Sequence, residues 1–136
     1  MDRGTVFVVG AGPAGLYASR KIAAAGYQVV IFNRDVKPGG LAEYGIYPQK
    51  FHMKAGLRKQ FFKFLEMPNL EYFGNVPLGN TAPLSVGDLR QWSPAALVFA
   101  VGAQGTKKLG LPGEDSKGLY SAKDYVFNYN QLPPFT

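Results

Sequence analysis

Gly10-Ala11-Gly12-Pro13-Ala14-Gly15 has the form G-x-G-x-x-G, and its residue types and spacing can do chemistry. Each glycine answers a different demand of an anion-binding turn. The first permits a tight exit from a strand, the second lets a pyrophosphate reach the backbone, and the third lets helix and strand pack closely. Pro13 is tolerated in the first turn of a helix, where its missing N–H has no partner to lose. The first-turn N–H groups and the helix dipole then favour a bound anion. Glycine turns are common in a chain with 17 Gly among 136 residues, so the pattern means little without a strand before it and a helix after it.

Those flanking elements are legible. Thr5 to Val9 is a short, continuous, β-branched apolar run, the pattern of a strand buried on both faces. Leu16 to Ala25 is rich in helix formers, with Leu16, Ile22 and Ala23 able to share one face and Arg20 and Lys21 able to reach solvent. Gly26 stands at the helix stop, and Gln28 to Phe32 is a second apolar strand. Strand, glycine turn, helix and strand make one right-handed βαβ unit. The fold class expected is therefore α/β, a Rossmann-like three-layer domain with a central, mostly parallel sheet, spanning residues 1–136.

Further along, Asn33 to His52 reads as loop, interrupted by Pro38-Gly39-Gly40, Gly45 and Pro48. Lys54 to Glu66 reads as a helix burying Leu57, Phe61, Phe64 and Leu65, with Phe62 the doubtful core member. Leu70 to Phe73 starts a strand expected to run past Gly74 towards Val76-Pro77-Leu78. Thr81 to Ser93 holds a turn and a short helix near Asp88, and Ala95 to Val101 is another buried-strand run closed by Gly102. Ser121 to Tyr129 predicts a last helix, with Ser121 and Asp124 spaced as a capping box.

The end of the second strand is where an acidic side chain ordinarily grips a ribose hydroxyl pair. Here that position is Asn33, which offers an amide oxygen but no charged bidentate acceptor. Asp35 lies two residues beyond and could substitute. An asparagine would also tolerate a 2′-phosphate better than a carboxylate would.

Composition narrows the chemistry. The absence of cysteine excludes disulfide scaffolds, thiolate zinc sites and a dithiol couple or cysteine nucleophile within the chain. The single histidine, His52, excludes multi-histidine metal sites, and no catalytic or metal-binding residue is assigned. No apolar run approaches the roughly 18 residues of a membrane span. Met1-Asp2-Arg3-Gly4 leads directly into the first strand without the pattern of a secretory leader, so the expected location is cytoplasmic, or organellar if the chain is processed or a fragment. A net charge of +6 suits an acidic partner but does not by itself imply nucleic acid, and no nucleic-acid module accompanies it. Lys50, Lys54, Arg58, Lys59 and Lys63 read as a solvated helix face, with docking of an acidic ferredoxin as the alternative.

Taken together, V-V-G-A-G-P-A-G-L-Y-A, then V-V-I-F, then P-G-G-L-A-E-Y-G-I resembles the FAD-binding region of the adrenodoxin reductase-like ferredoxin–NADP reductases. The glutamate synthase small-subunit group shares these segments. Phe73-Gly74-Asn75-Val76, and the run from Leu111-Pro112-Gly113-Glu114 to Ser121-Ala122 and Tyr129 to Pro133, lean towards the first group. The resemblance implies a flavin site. Gly10, Gly12, Pro13, Ala14 and Gly15 would hold the FAD pyrophosphate, and Asn33 would stand where the family has a glutamate on the ribose. Gly40 and Leu41 would run beside the flavin end, Val76 would meet the adenine through its backbone, and Gly102 would flank the cofactor. It also implies an NAD(P)-binding domain with its own glycine fingerprint and a C-terminal return segment. Neither is visible in this sequence, so NADP would bind only through a domain outside it, supplied for instance by a partner chain.

The function these features imply is the FAD-binding portion of a flavin-dependent NAD(P)H oxidoreductase, passing electrons between NADPH and a ferredoxin-like iron–sulfur protein. Alone, the chain is not expected to be catalytically complete. The alternatives are an electron-input subunit of a glutamate synthase-type enzyme and a non-catalytic module that holds FAD or NAD without turnover.

Overall fold

The computed structural model describes residues 3–103 and 105–132. Met1, Asp2 and Pro133, which figured in the sequence readings, lie outside the described residues. Strand β1 (Thr5–Val9) leads through the glycine turn into helix α1 (Pro13–Ala24) and back into β2 (Gln28–Phe32), as the pattern predicts. α1 ends where Gly26 takes a left-handed φ of +90°, a conformation costly for any residue with a Cβ. Strands β3 (Leu70–Phe73) and β4 (Ala96–Phe99) complete a four-stranded sheet of order β3-β2-β1-β4, every pairing parallel. The register sets Val8 beside Ile31 on one side and Val98 on the other, and Phe32 beside Phe73.

Side-chain alternation along the strands builds two cores. Val6, Val8, Val29 and Ile31 pack with Leu16 and Ala23 of α1 and Phe61 and Phe64 of α3 (Phe51–Leu65). Phe7, Val9 and Phe32 face the other way, onto Leu89 of α4 (Val86–Gln91). Helices thus cover both faces, the three-layer arrangement parallel sheets need. α4 starts at a complete capping box: Asp88 N–H donates to Ser85 Oγ while the Asp88 carboxylate accepts from Ser85 N–H at 2.8 Å.

Four expectations are corrected. The segment from Asn33 to His52 is not all loop, because it carries the short α2 (Leu41–Tyr44) and a 3₁₀ turn (Pro48–Lys50), and α3 begins at Phe51 rather than Lys54. β3 stops at Phe73. Beyond it Asn75 takes a φ of +58° and turns the chain over the sheet's end, so Leu78 makes only an isolated bridge to Leu84. β4 is an edge strand rather than a buried one, and Phe99 is 55% exposed. Ser121 caps α5 (Ala122–Tyr129) through the Asp124 N–H. Phe62 is exposed, while its neighbours Phe61 and Phe64 are buried.

Candidate nucleotide site

Parallel strands of order 3-2-1-4 leave a crevice beyond their C-terminal ends, between β1 and β4, because the chain leaves β1 in opposite directions on either side. A cavity of about 500 Å³ opens there. Its lining gathers the glycine turn from Gly10 to Ala14, Phe32 to Asp35 after β2, Gly40 and Leu41, Val76 to Leu78, and Ala100 to Ala103. All the sequence-predicted site residues except Gly15 are in that lining, and Gly15 packs closely against Gly10 and Ala100, which are.

The three glycines of the turn stand in three different surroundings. Gly10 takes a φ of +104°, and a Cβ there would lie 2.5 Å from the Ala100 carbonyl oxygen, so β1 and the exit of β4 approach closely only through a glycine. At Gly15 a Cβ would meet the Gly10 carbonyl oxygen at 1.9 Å, so this glycine lets α1 pack onto its own strand. Gly12 is the informative one. Its backbone is extended and a Cβ would meet nothing within 4 Å, so no protein contact demands a glycine there. The space it keeps open belongs to the cavity. No side chain caps α1, and Pro13 follows Gly12 directly, which leaves the first-turn donors and the positive end of a 12-residue helix facing the same opening. This cradle suits a phosphate group.

A second wall is docked onto the first. The Gly39 N–H donates to the Ala11 carbonyl at 2.7 Å, and Gly40, at a φ of +51°, approaches so closely that a Cβ would lie 2.9 Å from Gly12 Cα. α2 follows at once, and it is anchored through Glu43. That carboxylate is 7% exposed and accepts a two-pronged pair of hydrogen bonds from Arg58 of α3, Nε lying 2.7 Å from Oε2, with Lys54 Nζ 3.9 Å away. The Arg58 hydrogen bond outweighs burial and holds the carboxyl below the usual range, with the nearby Lys54 charge assisting. Sequence reading missed this pair. It placed Lys54 and Arg58 on a solvated basic face, whereas both turn towards Glu43. No local spacing signals a contact between residues 15 positions apart in different elements.

Asn33 lies in the lining with its amide engaged on every side. Its Oδ1 accepts the Ala11 N–H at 3.0 Å, and its Nδ2 lies 2.8 Å from the Asp35 carbonyl oxygen, 3.3 Å from that of Lys37 and 3.2 Å from the Tyr72 hydroxyl. It is 7% exposed. Burial raises the Tyr72 phenol above its ordinary pKa, so the hydroxyl stays protonated and serves this network. The Asn33 carbonyl accepts the Val76 N–H at 2.9 Å, placing the loop after β3 over the cavity. Leu41 is a mostly exposed rim residue, and Gly102 turns the chain away from β4 at a φ of +68°. Arg34 also lines the cavity, a residue that sequence reading did not single out.

Comparison with known proteins agrees with this geometry. Residues 8–70 match the model of the NAD(P)-binding Rossmann-like domain. The chain is 37% identical over 133 residues to the mitochondrial NADPH:adrenodoxin oxidoreductase of Arabidopsis thaliana, covering 96% of this chain and 27% of that protein. It is 32% identical over 121 residues to the glutamate synthase [NADPH] small chain of Bacillus subtilis, covering 89% of this chain and 24% of that one. Among solved structures, FprA of Mycobacterium tuberculosis in complex with NADPH superposes with a TM-score of 0.87 at 32% identity, over 97% of this chain and 30% of that chain. The chain therefore spans about a quarter to a third of the length of the relatives it matches. Across nearly all of its own length the chain is similar to the NADPH:adrenodoxin oxidoreductase and FprA, and over slightly less of it to the glutamate synthase small chain.

Proposed function

We propose that residues 1–136 form the FAD-binding portion of a flavin-dependent NAD(P)H oxidoreductase that passes electrons between NADPH and a ferredoxin-like iron–sulfur protein. The observation that carries the reading is the open space at Gly12 in front of the uncapped α1 N-terminus. Protein packing on the Cβ side of Gly12 does not call for a glycine, whereas a phosphate at the α1 N-terminus does. The residues present fit a dinucleotide: first-turn N–H groups for the pyrophosphate, Val76 to Leu78 and Phe32 for the adenosine end, and Gly40, Leu41 and Gly102 for the other. Bound there, FAD would supply the exchange between a two-electron hydride donor and a one-electron acceptor. The chain's own task is to bind and orient it. Gly10 and Gly15 hold strand and helix together, Gly12 leaves room for phosphate, and Asn33 fixes the turn's shape through Ala11. The nicotinamide site belongs, on this reading, to the part of the relatives' length that these residues do not span. The similarity to the glutamate synthase small chain favours a second acceptor, an amidotransferase-type partner.

The test is flavin retention. Purified chain incubated with FAD and freed of excess should carry the yellow flavin spectrum near stoichiometry, and Gly12→Val should lower retention at least tenfold while the fold persists. A colourless parent chain that instead takes up NAD would overturn the FAD assignment. With flavin bound, adding the nicotinamide-binding portion of a relative and comparing reduction of a ferredoxin with that of a glutamate synthase large subunit separates the two acceptors.

A further inference from the structure

The ribose end of the cavity has an occupant problem. The strand-end position that ordinarily carries a ribose-binding acid holds Asn33, and its amide is used within the protein: one end secures Ala11, the other the carbonyls that follow. A group already bonded at both ends is poorly placed to accept a pair of hydroxyls. Two residues on, an acidic residue, Asp35, is part of the cavity lining. Asp35 is held from its main chain, since its carbonyl oxygen lies 2.8 Å from Asn33 Nδ2, 3.2 Å from the Tyr72 hydroxyl and 3.3 Å from the Asn75 amide nitrogen. Its side chain takes no part in those bonds and is about a third exposed, with Arg34 Nε 3.2 Å from Oδ1. Asn33 thus fixes the backbone from which Asp35 projects.

We propose that Asp35 is the ribose-reading residue of this site, its carboxylate accepting from the adenosine 2′- and 3′-hydroxyls, and that it selects an unphosphorylated ribose over a 2′-phosphate. This rests on the reading above, that a dinucleotide lies in this cavity. The acid has moved from the strand end to the loop, and the strand-end residue has become its support. A carboxylate at this place rewards two hydroxyl donors and repels a phosphate dianion, while it balances the Arg34 charge that would otherwise draw one. The selected ligand class is therefore FAD or another dinucleotide with a plain adenosine, in preference to NADP.

The experiment titrates the full chain with FAD, ADP and 2′-phosphorylated ADP. The parent should bind ADP more tightly than its 2′-phosphorylated form. Asp35→Asn should weaken FAD about tenfold or more, the scale of a charged hydrogen-bond pair, and abolish or reverse the ADP preference. Asp35→Glu, which keeps the charge, should keep the preference. Because the three bonds that anchor residue 35 reach its main-chain carbonyl, Asp35→Asn should melt within a few degrees of the parent. If Asp35→Asn binds FAD within twofold of the parent, or leaves the ADP preference unchanged, the Asp35 assignment falls. When FAD binding is meanwhile lost in Gly12→Val, the dinucleotide reading survives that result. A parent chain binding neither FAD nor ADP overturns both.

Discussion

At the scale of single residues, the turn separates demands of folding from demands of binding. Gly15→Ala places a Cβ where the Gly10 carbonyl already stands, so it should unfold or strongly destabilise the chain, read as a loss of several kcal/mol (about 2 or more) in urea unfolding. Gly12→Val should leave urea unfolding close to that of the parent and act only on ligand binding, since its backbone is extended and its surroundings are open. Asn33→Asp supplies a third contrast. The new carboxylate would face the Asp35 and Lys37 carbonyls where a donor now stands, at a cost of about 1–3 kcal/mol in stability. An acid at the usual ribose position would thus harm this protein. The glycines were legible because their spacing is local. The duty of Asn33 was not, because its partners, Ala11 and Tyr72, are set by how β1, β2 and β3 lie side by side.

At the scale of elements, α2 is only four residues long and has little helical stability of its own. Its place against the glycine turn depends on Gly39 at one end and on the Glu43–Arg58 pair with α3 at the other. Glu43 has a lowered pKa in the folded chain, so its contribution is complete above the unfolded value of about 4.3 and is lost as pH falls through the folded value. Acid unfolding below about pH 5 should therefore be less steep in Glu43→Gln, with the parent about 1 kcal/mol more stable than the variant at pH 7. FAD affinity should fall with it, as Gly40 and Leu41 lose their support. A simpler element responds to its cap. Ser85→Ala removes the hydroxyl half of the α4 capping box, leaving the Ser85 N–H on the Asp88 carboxylate, and should cost about 1 kcal/mol in thermal unfolding, through the seat of Leu89 beneath the sheet. The sequence announced β1, α1 and β2 to the residue or nearly so, because apolar periodicity and glycine stops agree there. It hid α2, whose four residues are too few to show a period.

At the scale of the whole molecule, strand order explains why segments distant in sequence form one cavity. Gly12, Asn33, Gly40, Val76 and Gly102 each follow or adjoin the C-terminal end of a strand or its connecting turn, and a parallel sheet brings all those ends to one side. A ligand filling that side bridges both cores' strands, so saturating FAD at about a hundred times its dissociation constant should raise folding stability by about 2.7 kcal/mol. A thermal melt with and without flavin measures this, and an unchanged midpoint would speak against binding in the cavity. β4 has a consequence of another kind. It forms one edge of the sheet, and its Ala96-Leu97-Val98-Phe99 sequence contains no charge and no proline. Edges are ordinarily blunted by lysine, proline or a bulge, because unpaired peptide groups template further strands. Concentrated solutions of this chain should therefore grow cloudy or form β-rich aggregates through that edge, with Phe99→Lys delaying the turbidity. Colloidal shelf life, more than folding stability, would then limit how this chain can be handled.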